Sequence, residues 1–231
     1  MLTAPQFSPE RLAAVRARIE AAARRAGREP GSVRLLAVSK QQPVEAIAAA
    51  AGAGQAEFGE NYVQEGVAKI AALRGRPLTW HFIGHLQANK TREVAEHFQW
   101  VHTVDRERVA TRLDGQRPHY AAPLEVLLQV RLGEEPGKGG VEPADLPRLA
   151  EFVAGLPRLR LRGLMCIPPP ATDESAQRVP FAQLRRLLEE LNARGHSLDT
   201  LSMGMSADLE AAVLEGATIV RVGTAVFGPR D

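Results

Sequence analysis

Hydrophobic positions switch between two periods along this chain. Between residues 9 and 26 they recur at helical spacing, as Leu12, Val15, Ile19 and Ala22–Ala23, which is one face of a helix. Ser8-Pro9-Glu10 ahead of them reads as an N-cap, a proline at the first helical position and an acid in the first turn, and Gly27 closes the segment. Beyond it, short apolar runs with β-branched residues alternate with helical stretches. The runs are Val33–Val38, Ala56–Gly59, Leu78–Gly84, Trp100–Val104, Leu124–Val130, Leu159–Ile167, Leu198–Gly204 and Thr218–Gly223. The first five begin roughly 23 residues apart, enough for one strand, one helix and two short loops.

The segments between the runs carry helix punctuation. Pro43 opens one, and Asn61-x-x-Gln64 has the form of a capping box opening another. Asp105 is placed to cap a third, closed by Gly115, and Ser206 to cap a late one, closed by Gly216. Phe181–Arg194 reads as a helix with Leu184, Leu187, Leu188 and Leu191 on one face. Strands alternating with helices of this length make parallel βαβ units. Eight units with no composition shift between them predict a closed (β/α)8 TIM barrel, an α/β fold, with an extra N-terminal helix and one domain over residues 1–231. An open doubly wound sheet is the competing fold, but no G-x-G-x-x-G follows the first strand. The loop Gly133–Gly140 is the most glycine-rich stretch and is expected to move.

Composition narrows the function. Of 231 residues, 45% are hydrophobic and 24% charged, with a net charge of +2; that is ordinary for a globular protein and gives no field that calls for nucleic acid or an anionic membrane. The single cysteine, Cys166, excludes an internal disulfide and a cysteine-rich zinc site. No apolar run reaches the ~20 residues that span a bilayer, and the N-terminus lacks a signal layout, so a cytoplasmic location is the expectation. Only Lys40, Lys69, Lys90 and Lys138 are lysines among the 29 cations, so the place of each is informative.

In a parallel barrel the active site lies where the strands end. The first strand ends Ala37-Val38-Ser39-Lys40. A lysine there is either a solvated strand-end residue or, partly desolvated in a pocket, an amine nucleophile. Barrels often bind phosphate with the loops after strands seven and eight. Ser206 follows the seventh strand, and Gly223-Thr224 the eighth; both features occur in ordinary helix capping, and both suit an anion. A lysine amine and a phosphate cradle in one barrel suit pyridoxal phosphate (PLP), held as a Schiff base. Arg221, near the end of strand eight, would then face the pyridine nitrogen; taken alone it reads as half of a surface ion pair.

Other signals are weaker. His81 and His85 share a strand face, but sit about 13 Å apart with no third metal ligand evident. Gly133-x-x-x-Gly137-Lys138 lacks the spacing and the Ser/Thr of a P-loop. Met165, Met203 and Met205 read as core residues.

Taken together, several motifs resemble the pyridoxal phosphate homeostasis protein family. They are Ala37-Val38-Ser39-Lys40, Phe58-Gly59-Glu60-Asn61-Tyr62-Val63-Gln64-Glu65, and His81-Phe82-Ile83-Gly84-x-Leu86-Gln87-x-Asn89-Lys90. Gly163-Leu164-Met165, Leu201-Ser202-Met203-Gly204-Met205-Ser206-x-Asp208 and Val220-Arg221-Val222-Gly223-Thr224-x-Val226-Phe227-Gly228 complete the set. They occur in family order over essentially the whole chain. The resemblance implies a fold like the barrel domain of alanine racemase. It implies PLP on Lys40, phosphate near Ser206, Gly223 and Thr224, Arg221 at the pyridine nitrogen, and Asn61 and Met203 lining the cofactor. Gln41-Gln42-Pro43 and Glu134-Glu135-Pro136-Gly137-Lys138 depart from the usual family pattern, which bears on the loop and not on the cofactor.

Three functions compete. The first is a homeostasis protein that holds PLP and supplies or buffers it, with apo PLP-dependent enzymes as partners, and itself a monomer or weak homodimer. The second is a PLP-dependent amino-acid racemase, and the third an aldolase-type barrel using Lys40 on a phosphorylated substrate. Racemisation needs an acid–base group on each cofactor face. In alanine racemases the second is a tyrosine on a C-terminal β domain, for which this chain, ending at Asp231, is expected to have no counterpart. Tyr62 could line the site, whereas Tyr120 lies toward the opposite end. The expectation is therefore a PLP carrier with no catalytic residues and no metal.

Overall fold

The computed structural model describes residues 7–133 and 139–229. Residues 134–138 of the glycine-rich loop, Lys138 among them, therefore lie outside the described residues. The strands are β1 Arg34–Val38, β2 Glu57–Glu60, β3 Thr79–Phe82, β4 Trp100–Val104, β5 Leu124–Gln129, β6 Leu159–Met165, β7 Thr200–Ser202 and β8 Ile219–Val222. They pair in chain order, all parallel, and β8 closes on β1 to form the expected barrel. The helices are α1 Pro9–Arg25, α2 Val44–Gly52, α3 Val63–Ala72, α4 Thr91–His97 and α5 Glu107–Gln116. They continue with α6 Leu146–Ala154, α7 Glu174–Ala193, α8 Leu209–Leu214 and α9 Thr224–Phe227.

Strand residues alternate between two cores, as a period of two requires. One parity faces the helices, where Phe58, Phe82, Val126, Leu164 and Val220 join one large cluster with the apolar faces of α1 to α9. The other parity fills the barrel with two small clusters, Leu36–Val38–Ile83–Ile219 and Trp100–Leu127–Met165. The extra helix α1 buries Leu12, Val15 and Ile19 and packs on α8 and α9. Its Arg18 reaches across to Glu210 at 2.8 Å and to the Ser206 carbonyl at 3.0 Å.

The ends of the helices depart from the sequence reading. Ser8 does cap α1, accepting from the Arg11 N–H, and α2 begins directly after Pro43. The Asn61-x-x-Gln64 box does not form: Tyr62 holds the N-cap position of α3 and no side chain caps it. Arg106, not Asp105, precedes α5, and Asp105 pairs with Arg106 at 2.6 Å instead. Gly115 lies inside α5, which runs on to Gln116. Ser206 is not a cap either; α8 starts at Leu209 behind Asp208, whose carboxylate takes the Met205 N–H at 2.6 Å. Helix α7 begins at Glu174, capped by Asp173, and passes through Pro180, which as a strong punctuator would otherwise mark its start. Met205 is 41% exposed, so of the three methionines only Met165 and Met203 are core.

Candidate functional site

Lys40 follows β1 with the parity of Leu36 and Val38, so the run that fills the barrel leads to the lysine at its C-terminal mouth. The next residue, Gln41, has φ of 60°, and among the described residues it is the one non-glycine with positive φ. Such backbone is held only where surroundings over-determine it. Here the surroundings are a buried charge cluster between β2 and α3. The Gln41 N–H donates to Glu65. The Lys69 ammonium donates to Glu65 at 2.6 Å, to Glu60 Oε1 at 2.9 Å and to the Ser39 carbonyl at 2.6 Å. The Ser39 hydroxyl adds a bond of 2.6 Å to Glu60. Burial pushes the Glu60 carboxyl above its usual range, and Lys69 and Ser39 pull against that shift. Lys69 is thus tied by three acceptors, a structural lysine placed beneath the end of β1.

The other side of the mouth is set by β8 and β7. Arg221 is only 4% exposed. Its Nη1 donates to Ser202 Oγ at 2.8 Å and its Nη2 to the Cys166 carbonyl at 2.9 Å. Among the described residues no carboxylate pairs with it. Burial lowers its pKa, yet an arginine starts so high that it stays a cation. The Arg221 N–H bonds the Gly204 carbonyl at 3.0 Å, which ties the end of β7 to β8. Gly204 has φ of 91°, and a Cβ there would stand 2.5 Å from that of Ala212, so only glycine lets the chain turn over α8.

Asn61 sits at the end of β2, with its Oδ1 buried and without a hydrogen-bond partner. Gly84, at the end of β3, lets this segment in: a Cβ would stand 2.0 Å from the Asn61 carbonyl oxygen. Ser206 is half-buried in the turn before α8, and Gly223 is the N-cap of α9 with Thr224 exposed behind it. First-turn N–H groups have no intrahelical acceptors, so α9 offers donors at this mouth. Met203 is different: its side chain is fully buried in the helix–sheet core and does not share the inner-face parity of Ser202. Tyr62 is 53% exposed beside Asn61, while Tyr120 is 92% exposed ahead of β5, at the far mouth. No cluster of metal-binding side chains occurs among the described residues.

One feature of the barrel interior escaped the sequence reading. His81 Nδ1 lies 2.9 Å from His102 Nε2, and His102 Nδ1 lies 2.8 Å from Ser202 Oγ, the atom that accepts from Arg221. Beyond His81, Nε2 stands 3.2 Å from Glu57 Oε2, within ion-pair distance but outside hydrogen-bond angles. Glu57 also meets Arg34 at 3.4 Å. Burial holds both imidazoles below the usual histidine range, His102 well below. The signal that could have found them is the period of two: His81, His102, Ser202 and Arg221 all fall on the inward parity of their strands.

The family model for the alanine racemase N-terminal domain matches residues 11–231. A curated relative from Pseudomonas aeruginosa, named pyridoxal phosphate homeostasis protein, is 58% identical over 222 residues, 96% of this chain and 95% of its own. The protein of that name from Escherichia coli is 54% identical over 223 residues, 95% of each chain. PipY of Synechococcus elongatus, solved with PLP bound, is 42% identical at a TM-score of 0.84, over 95% of this chain and 99% of its own. The chain belongs to the alanine racemase N-terminal domain family and, within it, to the pyridoxal phosphate homeostasis proteins. Alanine racemase of Corynebacterium glutamicum, at 15% identity and a TM-score of 0.70, shares the fold; this chain covers 62% of it.

Proposed function

We propose that this protein binds PLP at the C-terminal mouth of the barrel and acts in intracellular PLP homeostasis, holding the cofactor on Lys40 as a Schiff base and supplying or buffering it. The observation that carries the reading is Arg221, a buried cation held by two neutral acceptors, at the same mouth as Lys40, which follows β1. A buried cation with no carboxylate in direct contact is costly, Asp208 acts on Arg221 only from a distance, and a bound anion or ring acceptor offsets that cost. The partnerless Asn61 Oδ1 is a second polar atom that a ligand can satisfy.

The residues fit the group. PLP supplies an aldehyde that condenses with an amine and a ring that withdraws electrons. Lys40 is the amine, by its place after β1 at the C-terminal mouth on the parity of Leu36 and Val38, whereas Lys69 lies beneath it, bonded to Glu60, Glu65 and Ser39. Ser206 and Thr224 offer hydroxyls, and Gly223 with the first turn of α9 offers backbone donors, for the phosphate. Asn61 borders the cofactor, and Met203 serves by packing beneath β7. Arg221 only donates, so it holds the ring nitrogen unprotonated and weakens the electron withdrawal that turnover needs. The names of the relatives and the PLP-bound PipY structure support this reading. A cytoplasmic carrier that hands PLP to apo-enzymes, as a monomer or weak homodimer, completes it.

The test is a spectrum and an assay on one sample. Purified protein mixed with PLP should develop a visible band distinct from free PLP. The loaded protein should racemise or decarboxylate amino acids far below the usual enzyme range of about 1–1000 per second. Enzyme-like turnover that is lost in Lys40→Ala would replace the carrier with a racemase-like enzyme, with Tyr62 the first candidate for the second acid–base group.

A further inference from the structure

We infer that Ser202, His102 and His81 are positioning residues that form a hydrogen-bond chain of one polarity through the barrel, oriented by the Glu57 carboxylate at ion-pair distance from one end and meeting Arg221 at the other. The inference rests on the proposed PLP site only for what Arg221 faces; the chain itself is a property of this protein without ligand.

The polarity follows from the charged end. Burial works against ionising the Glu57 carboxyl, but its pKa lies below the usual range, with the Arg34 guanidinium at 3.4 Å as a permanent cation beside it, so Glu57 is an anion and can only accept. His81 must then present an N–H at Nε2, because a lone pair aimed at a carboxylate 3.2 Å away is repelled. Neutral His81 therefore carries a lone pair at Nδ1, and His102 must donate to it from Nε2. His102 in turn offers its Nδ1 lone pair to Ser202, whose hydroxyl proton is committed to that bond. The Ser202 oxygen is left as an acceptor, and Arg221 Nη1 fills it. Every proton points from the C-terminal mouth toward the N-terminal one. A protonated imidazole anywhere would need two acceptors and would break the sequence. Burial, with the Arg221 and Arg34 cations nearby, keeps His102 neutral. Trp100 stacks on His81 at 5.3 Å with ring planes 11° apart and fixes its orientation. Chains of this kind polarise along their length. The orientation and donor strength of Arg221 are thus set partly by a carboxylate at the opposite mouth.

Nitrogen-15 NMR of the imidazoles in cofactor-free protein at neutral pH reads the chain directly, with His81 and His102 assigned by loss of their signals in His81→Gln and His102→Gln. Both rings should be neutral with the proton on Nε2. A proton on Nδ1 of either ring, or a charged ring, overturns the inference. In the PLP-loaded protein, Glu57→Gln removes the anchor without touching the site. It should shift the visible band and weaken cofactor retention roughly two- to tenfold. Asp199→Asn, a carboxylate at the same mouth outside the chain, should change neither. If Glu57→Gln and Asp199→Asn both lower the melting temperature and both leave band and retention unchanged, Glu57 is structural and the coupling to Arg221 is refuted. If PLP fails to reach Lys40 in the parent protein, the functional reading falls, while the tautomers still decide the chain.

Discussion

The two mouths of one barrel are built on opposite terms. At the N-terminal mouth the inward charges of the described residues are paired. Arg34 pairs with Glu57, Arg160 and Arg162 with Glu125, and Arg162 also with Asp199 at 2.6 Å. Arg34 and Arg162 also stand over the Trp100 ring at 4.9 and 5.3 Å. At the C-terminal mouth Arg221 is held by neutral oxygens, Asn61 keeps a partnerless oxygen, and Gln41 takes up positive φ. A network that is satisfied in the protein alone serves stability. One that is left short serves a ligand, which matches the division of labour between the two ends of such barrels.

Two lysines sharpen that comparison most. Lys69→Ala would leave Glu60 buried without its counter-charge and should cost about 3–5 kcal/mol of stability, read by urea unfolding. Lys40→Ala, at a half-buried position, should cost less stability than Lys69→Ala and abolish covalent PLP retention, read by the visible band after gel filtration. Equal losses of stability in both variants would erase the distinction between a structural and a ligand lysine.

Next come the phosphate contacts. Ser206→Ala and Thr224→Ala each remove a hydrogen bond to a charged group, worth about 1.5–3 kcal/mol, and should weaken PLP binding by roughly ten- to a hundredfold in equilibrium titrations. Dissociation constants that stay at the parent value in both variants would take the phosphate away from this mouth.

Acid acts on the interior between the mouths. His81 and His102 are held neutral in the fold, with pKa values below the usual 6.5. The unfolded chain therefore binds more protons, and stability falls as pH drops below about 6.5, by up to about 1.4 kcal/mol per pH unit per histidine. Glu60, whose carboxyl is raised, works in the opposite direction. The clean reading is thus the difference between the parent and His102→Gln. That variant should show the shallower fall between pH 6.5 and 5, and parallel curves would contradict the buried neutral ring.

The smallest effect belongs to the satisfied mouth. Arg162→Ala loses two exposed-side ion pairs and its place over Trp100, and should cost about 1 kcal/mol. PLP retention should be unchanged; a large loss of retention would mean that the N-terminal mouth also governs the site.

Much of this was legible in the chain. The strand runs were readable because strands buried on both faces are mostly apolar, and each of the eight coincides with a strand to within a few residues. Lys40, Arg221 and the loops after β7 and β8 were readable because a parallel barrel dictates which strand ends matter. The helix starts were less so. Ser206 and Asp105 have capping chemistry, but other contacts form there: Arg18, from the distant α1, on the Ser206 carbonyl, and the adjacent Arg106 on the Asp105 carboxylate. The histidine chain was missed because it joins residues distant in sequence whose meaning appears only when strands close into a ring, and the Glu60–Lys69–Glu65 cluster because, though local, it reads as a solvated helix face until α3 packs on β2 and buries Lys69. Met203 shows the converse, since its motif position says nothing about which way its side chain turns.

The most direct test of the central claim is chemical trapping. Loaded protein is reduced with borohydride, digested and mapped by mass spectrometry. The account predicts the phosphopyridoxyl mass on the peptide carrying Lys40, and none there in Lys40→Ala. The same mass found only on Lys69, Lys90 or Lys138 would contradict it.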